Sequence, residues 1–181
     1  MSVEASGADL DAFMHHQTED RYDVLRSRPD KLGAPISPDE FDKVVGVLGK
    51  YNRITVFDSG NDESSEVWRR MIDVSDQLVV ATVAMSETAE AGRPLLEELA
   101  QRDEHGAALV RNAVVIVSQS KERHSINEAH DIAAGFQSIA RAVPVIPFDP
   151  HMVEGHLRWQ GLAAETRYAW IRAAAAVAEG F

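Results

Sequence analysis

Unbroken apolar runs alternate along this chain with stretches in which apolar residues recur every three or four positions. Ser37-Pro38-Asp39-Glu40 sets an N-cap serine, a proline at the first helical position and a glutamate at the third. That capping box predicts a helix with Phe41, Val44, Val45 and Leu48 on one face. Ile54-Thr55-Val56-Phe57, stopped by Asp58 and the turn formers Ser59-Gly60-Asn61-Asp62, predicts a buried strand and then a loop. The order repeats. Leu78 to Val83 reads as a strand, and Ser86 can cap a helix that carries Ala89, Leu95, Leu96 and Leu99 and closes near Gly106. Ala113 to Val117 is a third apolar run, and Ser125-Ile126-Asn127-Glu128 is a second capping box, leading through Ile132, Phe136 and Ile139. Val143-Pro144-Val145-Ile146 is a fourth, peripheral strand, because Pro144 cannot donate to a ladder. The last helix sets Trp170, Ile171, Ala174, Val177, Ala178 and Phe181 against Glu165, Arg172 and Glu179.

Strands that are apolar throughout are buried on both faces, and strand–helix alternation calls for parallel pairing through right-handed crossovers. The fold class expected is therefore α/β, a mostly parallel sheet with helices on both faces. Tyr22 to Leu25 reads as one more short strand. Residues 1–20 are expected to be a flexible segment, and residues 21–181 one α/β domain, since domains usually hold ~100 to 200 residues. In such sheets ligands bind beyond the carboxyl ends of the strands, which points to Asp58, Thr82, Ser118 and Pro147.

Composition narrows the function classes. No apolar run approaches the ~20 residues that cross a bilayer, and the acidic first thirty residues do not read as a secretory signal, so a cytoplasmic protein with no membrane span is expected. With no cysteine, disulfides, thiolate zinc and iron–sulfur clusters are excluded. Eighteen basic against twenty-nine acidic residues give a formal charge of -11, a poor match to a phosphate backbone, so direct nucleic-acid binding is not expected.

Chemistry-bearing candidates are few. An aspartate closing a strand with glycine two positions on, Asp58 and Gly60, suits a nucleotide hydrolase that holds Mg²⁺ through water; it suits an ordinary turn equally well. The histidine pairs His15-His16, His124 and His130, and His151 and His156 lack the i, i+4 spacing of a helical metal site. No G-x-S-x-G elbow occurs, and Trp159 and Trp170 read as packing anchors.

Tyr51 to Gly60, followed by Met71-Ile72-Asp73-Val74-Ser75-Asp76-Gln77 and the strand through Thr82, resembles the second half of a MinD/ParA-type P-loop ATPase. Pro147-Phe148-Asp149-Pro150-His151 through Gly161-Leu162 and the Ala-rich end are similar to the MinD-like ATPases associated with type VII secretion. The resemblance covers roughly residues 20 to 181. It implies a P-loop NTPase fold, ATP and Mg²⁺ as cofactors, and a role as an ATP-driven switch in secretion or chromosome partitioning. Asp58 matches the switch II aspartate that orders Mg²⁺ through water. Gly60 stands where relatives often have Pro, and Asp62 near their switch glycine. Ser118 and Gln119 follow the strand after which relatives place an adenine-contacting Asn. Pro147, Phe148 and Asp149 match the segment that passes the adenine ring, although the same residues read equally well as a rigid turn.

The departure is the Walker A loop. The four lysines, Lys31, Lys43, Lys50 and Lys121, precede Leu32, Val44, Tyr51 and Glu122, so no G-K-[ST] exists, and Gly46 to Lys50 reads as a helix terminus. Without that phosphate cradle the chain is expected to be the C-terminal portion of such an ATPase and inactive alone. Its expected partner is a second copy or the missing N-terminal half in trans, alongside secretion or partitioning machinery. The alternative is a non-catalytic MinD-like scaffold or dimerisation module. A receiver-like phosphoacceptor built on Asp58, Thr82 and Lys121 ranks last, because Glu122 rather than proline follows the lysine.

Overall fold

A computed structural model describes residues 14–17, 22–25, 36–60, 62–119, 126–153 and 157–181. The chain groups into two units, Met1–Met71 and Ile72–Phe181. In the first, β1 (Met14–Gln17) and β2 (Tyr22–Leu25) form an antiparallel hairpin in which His16 faces Asp23, with Nδ1 2.6 Å from the carboxylate. The strand expected at Tyr22 is present. The segment before it, expected to be without fixed structure, holds its partner.

Helix α1 (Pro38–Tyr51) starts as its capping box dictates. The Glu40 amide donates to Ser37 Oγ at 3.3 Å, the Ser37 amide donates to Glu40 Oε2 at 3.0 Å, and Pro38 needs no donor. Gly46 to Lys50 lie inside α1, in its second half and last turn. Phe41 is buried and meets Phe57 edge-on, ring centroids 5.2 Å apart.

The expected strand at Ile54 to Asp58 does not form. Ile54 is 66% and Val56 87% exposed, and no described residue pairs with the segment. A β-favouring sequence becomes a strand only where a neighbour accepts its backbone bonds and covers its face.

The second unit carries the sheet. Helix α2 (Glu66–Val74) bridges the boundary between the units. It is followed by β3 (Val79–Val83), α3 (Ser86–Arg102), α4 (Glu104–Asn112), β4 (Val114–Ser118), α5 (Ile126–Phe136), β5 (Val145–Ile146), two short 3₁₀ turns at Pro150–Met152 and Trp159–Gly161, and α6 (Ala164–Ala178). The sheet is parallel in the order β3-β4-β5. Thus the α/β class holds, and β5 lies at an edge as Pro144 required.

In β4, Val114, Val115 and Val117 are fully buried. Val114 and Ile116 point to one face, where Ala173, Trp170 and Val177 of α6 cover them with Ile146. Val115 and Val117 point to the other, the side of the crossover helices α3 and α5. β3 is the other edge, with Val79 42% exposed, so it is not the doubly buried strand its composition suggests.

Two helix ends differ from expectation. Ser86 is the first residue of α3 rather than its cap; Met85 takes the cap position with no side-chain bond. Gly106 does not close that helix. Asp103 does, capping α4 by accepting the Gly106 amide at 2.6 Å. Gly106 is needed for close approach instead, since a Cβ there would lie 2.3 Å from the Leu99 carbonyl oxygen. Ser125 lies outside the described residues; α5 begins directly after it.

Gly106→Ala is expected to cost ~1 to 3 kcal/mol through backbone overpacking, and Ser37→Ala ~1 kcal/mol through loss of the cap. Urea unfolding checks both, with lower midpoints at an unchanged slope.

Candidate functional site

Beyond the carboxyl ends of β4 and β5 the fold gathers five of the seven expected site residues: Ser118, Gln119, Pro147, Phe148 and Asp149. Ser118 ends β4, in register with Val83 and Ile146. The Gln119 amide donates to the Ile146 carbonyl at 2.9 Å, which carries the ladder one residue past the strand. Its side chain turns the same way, and Oε1 accepts the Phe148 amide at 3.2 Å. Pro147 and Phe148 are half-buried.

Asp149 is 2% exposed, and its carboxylate is occupied from several directions. Oδ1 accepts the His151 amide at 2.9 Å, capping the turn at Pro150, and Oδ2 accepts the Ala163 amide at 2.8 Å. The Thr166 side chain also bonds it. Ala163 is the N-cap position of α6 and has no side-chain cap of its own, so Asp149 supplies the acceptor and the negative charge that this helix start calls for. The Ala163 bond is the largest influence holding the Asp149 carboxyl below its ordinary pKa; the His151 and Thr166 bonds add to it, and burial opposes it. The imidazole of His151 stands half-exposed, Nδ1 3.4 Å from Oδ1.

Asp58 and Gly60, the other two, lie in the first unit. The Gly60 amide donates to Asp58 Oδ1 at 3.2 Å and Gly60 has φ +61°, the left-handed conformation that favours glycine. Both are exposed. Of the two readings of this Asp-x-Gly, the turn is the arrangement present. Thr82 lies on β3, its hydroxyl 3.4 Å from the Val83 carbonyl; Lys121 lies outside the described residues.

These observations test the fit of a nucleotide. In open α/β sheets the binding crevice opens where strand order reverses and adjacent crossovers leave on opposite faces. The order β3-β4-β5 runs in one direction, so the described sheet has no such switch point. Gln119 and Asp149, the two polar side chains best placed at the strand ends, hold backbone amides of their own chain. Among the described residues no three His, Asp or Glu side chains converge on a metal position. Among the described residues, these strand ends are closed by amides of the chain itself.

Sequence reasoning missed Asp149 as a cap. Its signal was local, an aspartate immediately before Pro150, the pattern of an N-cap with proline at the first turn position. Trp170 is the packing anchor expected, while Trp159 is 43% exposed.

Asp149→Asn is expected to lower the melting temperature by several degrees at pH 7. A native carboxyl held below its unfolded value of 3.8 stabilises the fold above that pH, and the contribution is lost as pH falls through the native value. Melts recorded from pH 7 downward check this, since the gap between wild type and variant narrows below about pH 4. No protein-family model, no curated protein and no solved structure matches this chain.

Proposed function

We propose that this chain is the switch II and base-side portion of a MinD/ParA-like P-loop ATPase, that it does not turn over ATP by itself, and that its α/β body serves as a non-catalytic scaffold. The family reading rests on the resemblance of Tyr51 to Thr82 and of Pro147 to Phe181. The observation that carries the scaffold reading is the engagement of Gln119 and Asp149 with the Phe148 and Ala163 amides. A base-recognising side chain must have free donors or acceptors aimed at the ligand. Here the two best-placed polar groups close the strand ends.

The missing Walker A loop supports the same conclusion. Phosphoryl transfer depends on positioning and electrostatic stabilisation of the phosphates, and the chain has no G-K-[ST] to supply them. The exposed carboxylate of Asp58 could order Mg²⁺ only where phosphates held from elsewhere brought the ion to it. Secretion or partitioning machinery is the class of partner that the resemblance suggests for such a scaffold.

Thermal melting with and without millimolar Mg-ATP tests the proposal, because a ligand that binds only the folded state raises its stability. The expected shift is less than about 1 °C, with phosphate release no faster than from an Asp58→Ala control. A rise of several degrees, or hydrolysis that Asp58→Ala abolishes, would overturn it.

A further inference from the structure

Helix α6 has two apolar faces, and the fold covers one. Thr166 and Ala173 are buried, with Ala169, Trp170, Ala176 and Val177 packed beside them against β4 and β5. Opposite, Ala164, Tyr168, Ile171, Ala175 and Ala178 are exposed, Tyr168 at 63% and Ile171 at 55%. Their spacing is four, three, four, three, the seam of a helix pair, and Thr166 and Ala173 occupy the heptad position farthest from it. A helix with two apolar faces is normally covered on both.

We infer that this seam is a self-association surface, where α6 of one copy pairs antiparallel with α6 of a second copy. The charges beside the seam select the occupant and the direction. Glu165 and Arg172 follow Ala164 and Ile171 on the same flank, are exposed, and have no ion-pair partner among the described residues. In an antiparallel pair centred between Tyr168 and Ile171, each Tyr168 meets the second copy's Ile171 and each Ala164 its Ala175. That register sets Glu165 beside the second copy's Arg172, and symmetry repeats the contact. A parallel pair would instead bring Arg167 toward the second copy's Arg172, a like-charge contact.

The rest of the surface agrees. The three small alanines let the backbones approach closely beside the two large side chains. Helix α6 carries one acidic and two basic residues, Glu165, Arg167 and Arg172, and no lysine, unlike the strongly basic helices that bind membrane surfaces. On a chain of net charge -11, this helix carries little net charge of its own, so two copies can meet there with little repulsion. The surface belongs to α6 alone and does not depend on the nucleotide reading.

Light scattering of the full chain tests the surface. A dimer mass is expected at about 100 µM, and a strictly monomeric chain at that concentration overturns the inference. Ile171→Glu should give a monomer with unchanged circular dichroism; a dimer that survives it has another interface. Arg172→Glu leaves the apolar seam intact and should weaken the dimer about tenfold, with adding Glu165→Arg restoring it. No restoration by the double swap overturns the antiparallel register. The chain has no cysteine, so introduced ones report geometry directly. Ala164→Cys mixed with Ala175→Cys should form a disulfide between the two variants, and neither variant should link to itself, because like positions stand about 16 Å apart across the pair. Self-linked variants without the mixed product would overturn it.

Discussion

The second unit is organised by the burial of β4. Val114, Val115 and Val117 lie wholly out of solvent, so every backbone donor in the strand must find a protein acceptor. Val114 donates to the Leu78 carbonyl, Val115 to Ala142, Val117 to Pro144, and Gln119 to Ile146. Alternate amides therefore draw β3 to one side and residues 142–146 to the other. Ala142 and Pro144 take part as acceptors although they stand outside β5, and Pro144, which has no N–H, accepts there without donating. With both ladders filled, the side chains above and below β4 require covers, and the crossover helices and α6 provide them.

The same constraint governs the strand ends. The loop leaving β5 carries amides outside the ladder, and Gln119 and Asp149 accept those of Phe148, His151 and Ala163. Asp149 does more than cap its own turn. It fastens the start of α6 to the end of β5, so the helix that covers Val114 and Ile116 is held by a carboxylate fifteen residues from its first residue. In the scaffold reading proposed above, a sheet whose strand ends are closed in this way presents surfaces to a partner. The uncovered side of α6 is such a surface, and a scaffold that pairs through it would put two sheets back to back across a helix pair.

Much of this architecture was legible in the chain because it is local. The capping box at Ser37, the apolar run of β4, the peripheral place of β5 and the strand–helix alternation each depend on a few adjacent residues whose physics is the same in any fold. Legibility failed where a second segment decides. Ile54-Thr55-Val56-Phe57 and Val114-Val115-Ile116-Val117 are nearly alike in composition, yet the first lies exposed and the second is a central strand, because among the described residues only the second has neighbours to bond its edges. Gly106 looked like a helix terminus, and its role follows from the Leu99 carbonyl that a side chain would strike.

By itself, then, the sequence determined the α/β class, the start of α1 at its Ser37 capping box, the absence of disulfides and of a phosphate-gripping lysine loop, and the residues that gather at the carboxyl ends of β4 and β5. Tertiary structure decided what those residues do. Asp149 became a cap for α6 through an amide fourteen positions away, a contact no local pattern encodes. It also decided which side of α6 is covered. Ile171 and Ala178, grouped by sequence with Trp170 and Val177, lie outside, since a helix with two apolar faces has no internal reason to prefer one of them, and the choice falls to the sheet it meets.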